Sequence, residues 1–94
     1  MIILVSPQAR KDLDQAYQHI KKDNFQAADR MLAKIVEVIG MLASDVVEGR
    51  EVVLRDGRRV QTWPVPPYRI YYRKKTDLFE VIRVYHQSRH PIER

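Results

Sequence analysis

Arginine and histidine recur along one β-rich stretch, YRIYYRKKTDLFEVIRVYHQSRHP, which runs from Tyr68 to Pro91. Arg69, Arg73, Arg83, His86 and Arg89 alternate there with isoleucine, valine and tyrosine, so a pleated strand pair would display cations from a rigid apolar support. The planar guanidinium fork suits carboxylate and phosphate groups. His86, or a tyrosine beside arginine, could serve as an acid or base in cleavage of RNA through its 2′-hydroxyl. The alternative for a lone histidine at a strand end is a hydrogen-bonded structural residue. Arg59, on the preceding β-rich run, extends the same cationic set.

Charge is distributed unevenly. Residues 1–47 hold six basic and six acidic side chains, whereas residues 48–94 hold eleven basic and six acidic ones, so the whole formal charge of +5 lies in the second half. Nine of those eleven are arginine. Such asymmetry points to an anionic or acidic partner, the simpler reading being a solvated surface that maintains solubility.

Other chemistries lack their residues. The absence of cysteine removes disulfides and thiolate catalysis and is consistent with a reducing cytoplasm. His86 and His90 are four apart but have no third ligand nearby, which argues against a metal site. Ser6, Ser44 and Ser88 lie outside any nucleophile elbow, and Gly40, Gly49 and Gly57 form no phosphate loop. No cofactor is expected. The opening MIILVSPQAR is too weakly apolar for a signal peptide, and no run has the length of a membrane span.

Residues 1–94 read as a single α+β domain. Ile2 to Val5 is a short strand. Ser6-Pro7 then offers an N-cap followed by proline at the first helical position, and Leu13, Ala16, Tyr17 and Ile20 mark one face of a helix to about Lys22. After a cap at Asp23-Asn24, Ala28, Met31, Leu32, Ile35, Val38, Ile39 and Leu42 predict a second helix to about Ala43. The short link makes these an antiparallel hairpin with one shared apolar face.

The remainder should form the sheet. Runs Glu51–Arg55 and Arg58–Trp63 flank Asp56-Gly57, which predicts a two-residue type I′ turn with Val53 opposite Val60. Pro64, Pro66 and Pro67 suggest a loop that interrupts pairing. Tyr68–Arg73 and Leu78–Tyr85 would then form a second hairpin. A three-residue loop sets Ile70 opposite Ile82, Tyr72 opposite Glu80, Arg69 beside Arg83 and Arg73 beside Phe79, leaving the two arginines to share an anion or to splay into water.

The order strand, helical hairpin, arginine-rich antiparallel sheet resembles the RelE/ParE superfamily of bacterial toxins from type II toxin–antitoxin modules. SPQARKDLDQAYQHI, YRIYYR and VIRVYHQSRHP carry the resemblance. The last two are similar to the ParE pattern of a YRI-Y-R strand followed by a hydrophobic strand ending in V-x-H-x-x-R. The resemblance implies an N-terminal strand and helical hairpin packed on a mainly antiparallel sheet.

Its ParE-like branch implies a cytoplasmic bacterial toxin that poisons DNA gyrase by binding. Arg59, Arg69, Arg73, Arg83, His86 and Arg89 would form the target surface, with no catalytic residue. The RelE-like alternative implies a ribosome-dependent messenger RNA endonuclease using Arg69, His86 and Arg83. Against it, the lysines of that branch fall near Val60 and Thr62, which carry no charge. A third alternative is an attenuated module that acts through complex formation alone. The resemblance also implies a cognate antitoxin with an acidic, disordered C-terminal segment, in a hetero-oligomer that helps to stabilise a plasmid. That segment would meet Tyr17, Ile20, Met31, Ile35 and Trp63 on the helical hairpin. Val46 and Val47 are further candidates for that contact or for core closure.

Overall fold

Ser6 and Asn24 begin the two helices because each side-chain oxygen accepts a hydrogen bond from the first turn. The Ala9 and Ala27 amides donate to them at 3.0 Å each. The computed structural model describes Met1–Arg94. In chain order it contains β1 (Ile2–Val5), α1 (Pro7–Lys21), α2 (Phe25–Ala43), β2 (Arg50–Val53), β3 (Arg59–Val65), β4 (Tyr68–Lys75) and β5 (Leu78–His86). One five-stranded sheet has the order β1-β5-β4-β3-β2, with β1 parallel to β5 and every other pair antiparallel.

The helical hairpin covers one face of this sheet. Ile35, Val38, Ile39 and Leu42 of α2 meet Ile70, Tyr72, Phe79, Val81 and Val84, all buried, and Tyr72 stacks on Phe79 with ring centroids 4.8 Å apart. Tyr72 also anchors the β2 approach. The Gly49 amide donates to its hydroxyl at 2.7 Å, and a Cβ at Gly49 would lie 2.4 Å from the Thr62 carbonyl oxygen, so only glycine fits. Lys74 donates to the Leu42 carbonyl at 3.3 Å and pairs with Asp45, closing the C-terminus of α2.

A second, smaller core lies under the opposite face, where Val52, Leu54, Val60, Tyr71 and Ile82 are covered by Tyr85 and Ile92. The C-terminal segment holds it shut. Arg55 N–H donates to Ile92 O at 2.7 Å, Arg94 N–H donates to Val53 O at 2.8 Å, and the Tyr71 hydroxyl donates to Glu93 Oε2 at 2.7 Å.

Three expected registers are corrected. Val60 lies opposite Val52 rather than Val53, because Leu54 N–H bonds Arg58 O around a three-residue corner. Only Gly57 there has positive φ (92°), whereas a type I′ turn needs two such residues. The prolines do not interrupt pairing either: β3 continues to Val65, and Pro66-Pro67 form the corner that sets Val65 opposite Tyr68. Pro64 is tolerated because β2 reaches only as far as Thr62, so an amide hydrogen at Pro64 would have no neighbour to bond.

The third correction bears on the cationic surface. The β4–β5 corner is the two-residue Thr76-Asp77, with Asp77 at φ 60°, and Ile82 is an unpaired bulge between Tyr71↔Arg83 and Tyr72↔Val81. Ile70 therefore faces Val84, Arg73 faces Glu80, and Arg69 faces Tyr85. The bulge lets Val81 and Val84 both point toward the helices, which strict alternation forbids for residues three apart. It also separates Arg69 from Arg83.

Ile35 is wholly buried. Ile35→Ala is expected to lower unfolding free energy by about 2–5 kcal/mol, read from urea denaturation midpoints; an unchanged midpoint would contradict this packing.

Candidate protein-binding surface

Arg83 is committed to the fold. Its Nε donates to Asp12 Oδ2 at 2.7 Å and its Nη2 to Asp12 Oδ1 at 3.0 Å, a two-point pair with a carboxylate buried on α1. The Val84 amide adds a third donor to Asp12 at 3.1 Å. The hydrogen bond from Arg83 to Asp12 raises the arginine pKa against the opposing effect of burial. Only 20% of the Arg83 side chain is exposed, and its guanidinium lies over the Tyr85 ring, 5.0 Å from the centroid. The expected exposed cation is thus largely internal.

The other five residues of the cationic set separate into two groups. Arg59 is exposed and stands 3.5 Å from Glu51 at the β2–β3 hairpin, while Arg73 donates to Glu80 at 2.8 Å across β4–β5. Arg69, His86 and Arg89 gather at the far end of β4 and β5. Arg69 and Arg89 line an open cleft of about 460 Å³ with Tyr71, Tyr85, Glu93 and Arg94. Arg89 also borders an adjoining hollow of about 240 Å³, shared with His86, His19, Gln15 and Tyr68. Arg89 is therefore the common wall of both depressions.

Electrostatics distinguish the cleft arginines from Arg59, Arg73 and Arg83, each of which has a carboxylate partner. Arg69 donates to Thr62 Oγ1 at 3.0 Å, and none of Arg69, Arg89 and Arg94 makes an ion pair. The one carboxylate in the cleft, Glu93, is already engaged by the Tyr71 hydroxyl and by Arg50 at 3.6 Å. Arg94 turns its guanidinium toward the Asp56-Gly57 corner, where its charge helps to lower the Asp56 pKa, so Arg69 and Arg89 are the cleft guanidinium groups with no carboxylate partner.

His86 packs edge-on against Tyr68, with centroids 5.1 Å apart, and its Nδ1 accepts the Ser88 amide at 3.1 Å. Burial raises the Tyr68 pKa while Arg89 opposes the shift. No group of three or more His, Asp or Glu side chains stands ready to hold a metal ion. No helix is long and apolar enough to cross a membrane.

On the helical hairpin, the expected antitoxin groove is corrected in one respect. Ile35 is interior, and Ile20, Met31 and Trp63 are half-buried against the main core. Tyr17 bridges the helices by donating to Asp29 at 2.7 Å. Val47 packs against the core, but Val46 is 68% exposed. The outward apolar residues that the sequence reading missed are Phe25 and Val36, at 55% and 60% exposure. Both lie off the repeating stripe of α2, which is the signal that marks them as outward-facing.

Known proteins match this arrangement. The sequence fits, over residues 3–91, the family described as ParE toxin of type II toxin-antitoxin system, parDE. The chain belongs to the ParE toxin family. A solved structure titled "Chromosomal ParDE TA system from P. aeruginosa" is similar at 22% identity, with a TM-score of 0.73 over 92% of this chain and 95% of that one. No curated protein sequence matches. Family membership makes this chain a toxin component of a type II module, and the shared fold is α+β as the residues predict.

Tyr71 provides a test of the closed underside. Burial foremost, then its bond to Glu93, pushes its pKa from 10 up to about 12. Because folding raises the pKa of an acid that stays neutral, the associated stability is complete below pH 10 and lost as pH rises toward 12. Stability followed by circular dichroism should fall across that window. A Tyr71→Phe variant should lose less over the same range, and an identical decline in both would contradict the assignment.

Proposed function

We propose that this ParE-family toxin inhibits DNA gyrase by binding it, without breaking bonds itself, through the cleft walled by Arg69, Arg89 and Arg94. The observation that carries this reading is the pair Arg69 and Arg89, which line one concavity and make no ion pair. Uncompensated guanidinium groups favour an acidic protein surface, and arginine is a common anchor at protein interfaces. A nuclease would need cations to neutralise charge developing on phosphate, yet Val60 and Thr62 of β3 are uncharged and 2% exposed each. His86 remains at the rim of the neighbouring hollow as a further contact, and Arg59 and Arg73 supply peripheral charge.

The partner in the module is a cognate antitoxin, in keeping with the family description and with the ParDE title of the similar structure. Its acidic, disordered segment would order on the toxin, meeting the half-exposed Tyr17, Ile20, Met31 and Trp63 and the cationic end of the sheet. Toxin and antitoxin together would act in the bacterial cytoplasm and stabilise the replicon that encodes them.

With purified gyrase, the toxin should inhibit supercoiling and cause relaxed or cleaved DNA to accumulate. Intact gyrase activity alongside codon-proximal cuts in translated messenger RNA would refute the proposal. Arg89→Ala should abolish toxicity while moving stability by no more than about 0.5 kcal/mol. Arg83→Ala should instead act through the fold, costing roughly 2–4 kcal/mol by stranding the buried Asp12. Thermal melts of both variants beside growth assays separate the two roles; a stable, non-toxic Arg83→Ala would reverse them.

A further inference from the structure

The two edges of the sheet are treated differently. At the β2 edge, the C-terminal segment continues the pairing: Glu93 bridges to Leu54, and the Ile92 carbonyl and Arg94 amide bond Arg55 and Val53. At the β1 edge nothing covers the strand. Met1, Ile2, Ile3 and Leu4 are 60%, 68%, 46% and 46% exposed. Charged side chains, proline and bulges are the usual means of blocking edge pairing, and Met1–Val5 contains none of them.

The backbone shows which groups are open. Ile2 N–H donates to Asp77 O at 2.9 Å and Ser6 N–H to Val81 O at 3.0 Å, so both point inward to β5. The two-residue period of a strand turns Leu4 inward with them and aims the N–H and C=O of Ile3 and Val5 outward. An incoming antiparallel strand finds two open residues, one on either side of Leu4.

We propose that β1 pairs antiparallel with β1 of a second copy of this chain about a two-fold axis through Leu4, giving a continuous ten-stranded sheet. That register sets Ile3 opposite the second copy's Val5 and the reverse, so all four outward residues exchange hydrogen bonds. The two Leu4 side chains then face each other at a non-hydrogen-bonded pair, with Cα atoms about 4.5 Å apart.

Charge favours a second copy over an acidic peptide at this edge. Residues 1–47 have zero net charge, and the whole +5 lies in residues 48–94. Two copies meeting through an uncharged strand bring no side-chain cation of that strand against another, whereas an acidic segment is drawn to the arginine-rich end. This inference is independent of the gyrase proposal.

Residues 1–94 contain no cysteine, so a single introduced one reports the register directly. Under mild oxidation Leu4→Cys should run as a covalent dimer, since a Cα separation of about 4.5 Å lies within disulfide reach. Ile3→Cys faces a valine and should stay monomeric under denaturing conditions. Analytical ultracentrifugation should show wild type as a dimer at concentrations on the order of 100 µM. Ile3→Pro removes only an outward N–H and should be a folded monomer by circular dichroism. A monomeric wild type, equal cross-linking at positions 3 and 4, or an edge occupied only when antitoxin is added would each overturn the proposal.

Discussion

The Asp12 carboxylate stands where β1 ends and the chain turns into α1, a place where β5 would otherwise present bare backbone to a helix. Beyond Val81 no strand accompanies β5 on that side. Asp12 accepts the Val84 amide there and Ser6 Oγ donates to the Ile82 carbonyl at 2.8 Å, so side chains of the helical start replace the missing ladder. A buried carboxylate needs a counter-charge, and Arg83 supplies it from the same strand. This triangle fixes α1 along β5, and with it the height at which α2 meets the core. Because it consumes one of the arginines that the strand offers, it also limits which cations stay unpaired.

Much of this was legible in the sequence. Period-3.6 apolar spacing and the Ser6 and Asn24 caps located both helices to within a residue at each end. Tyr68, Ile70, Tyr72, Ile82 and Val84, the apolar support expected between the cations, lie inside. The β4–β5 register was not legible, because the corner has two residues rather than three and a bulge at Ile82 then shifts every later partner, and no residue type announces either. The Pro66-Pro67 corner was read as a loop, since prolines argue against pairing unless the neighbouring strand is known to stop short.

The role of Arg83 was hidden for a different reason: its partner lies 71 positions away. A local signal did exist. Asp12 sits one turn before Ala16, on the margin of the apolar stripe of α1, and a lone carboxylate at such a position asks for a buried cation. Nothing comparable marked Arg69 and Arg89 as neighbours; the C-terminal segment brings them together by folding back beneath β2. The same segment closes the smaller core and frames the cationic cleft, so support of the fold and display of charge are physically joined at this end of the molecule.

The account's central claim is that Asp12 holds Arg83 for folding and so ties α1 to β5. A double-mutant cycle on Asp12→Ala and Arg83→Ala, measured by urea denaturation, tests it most directly. The structure predicts a coupling free energy of about 2 kcal/mol or more between the two positions, within the range for residues in one network. Additive effects, with coupling indistinguishable from zero, would show that the pair does not hold the helix to the sheet.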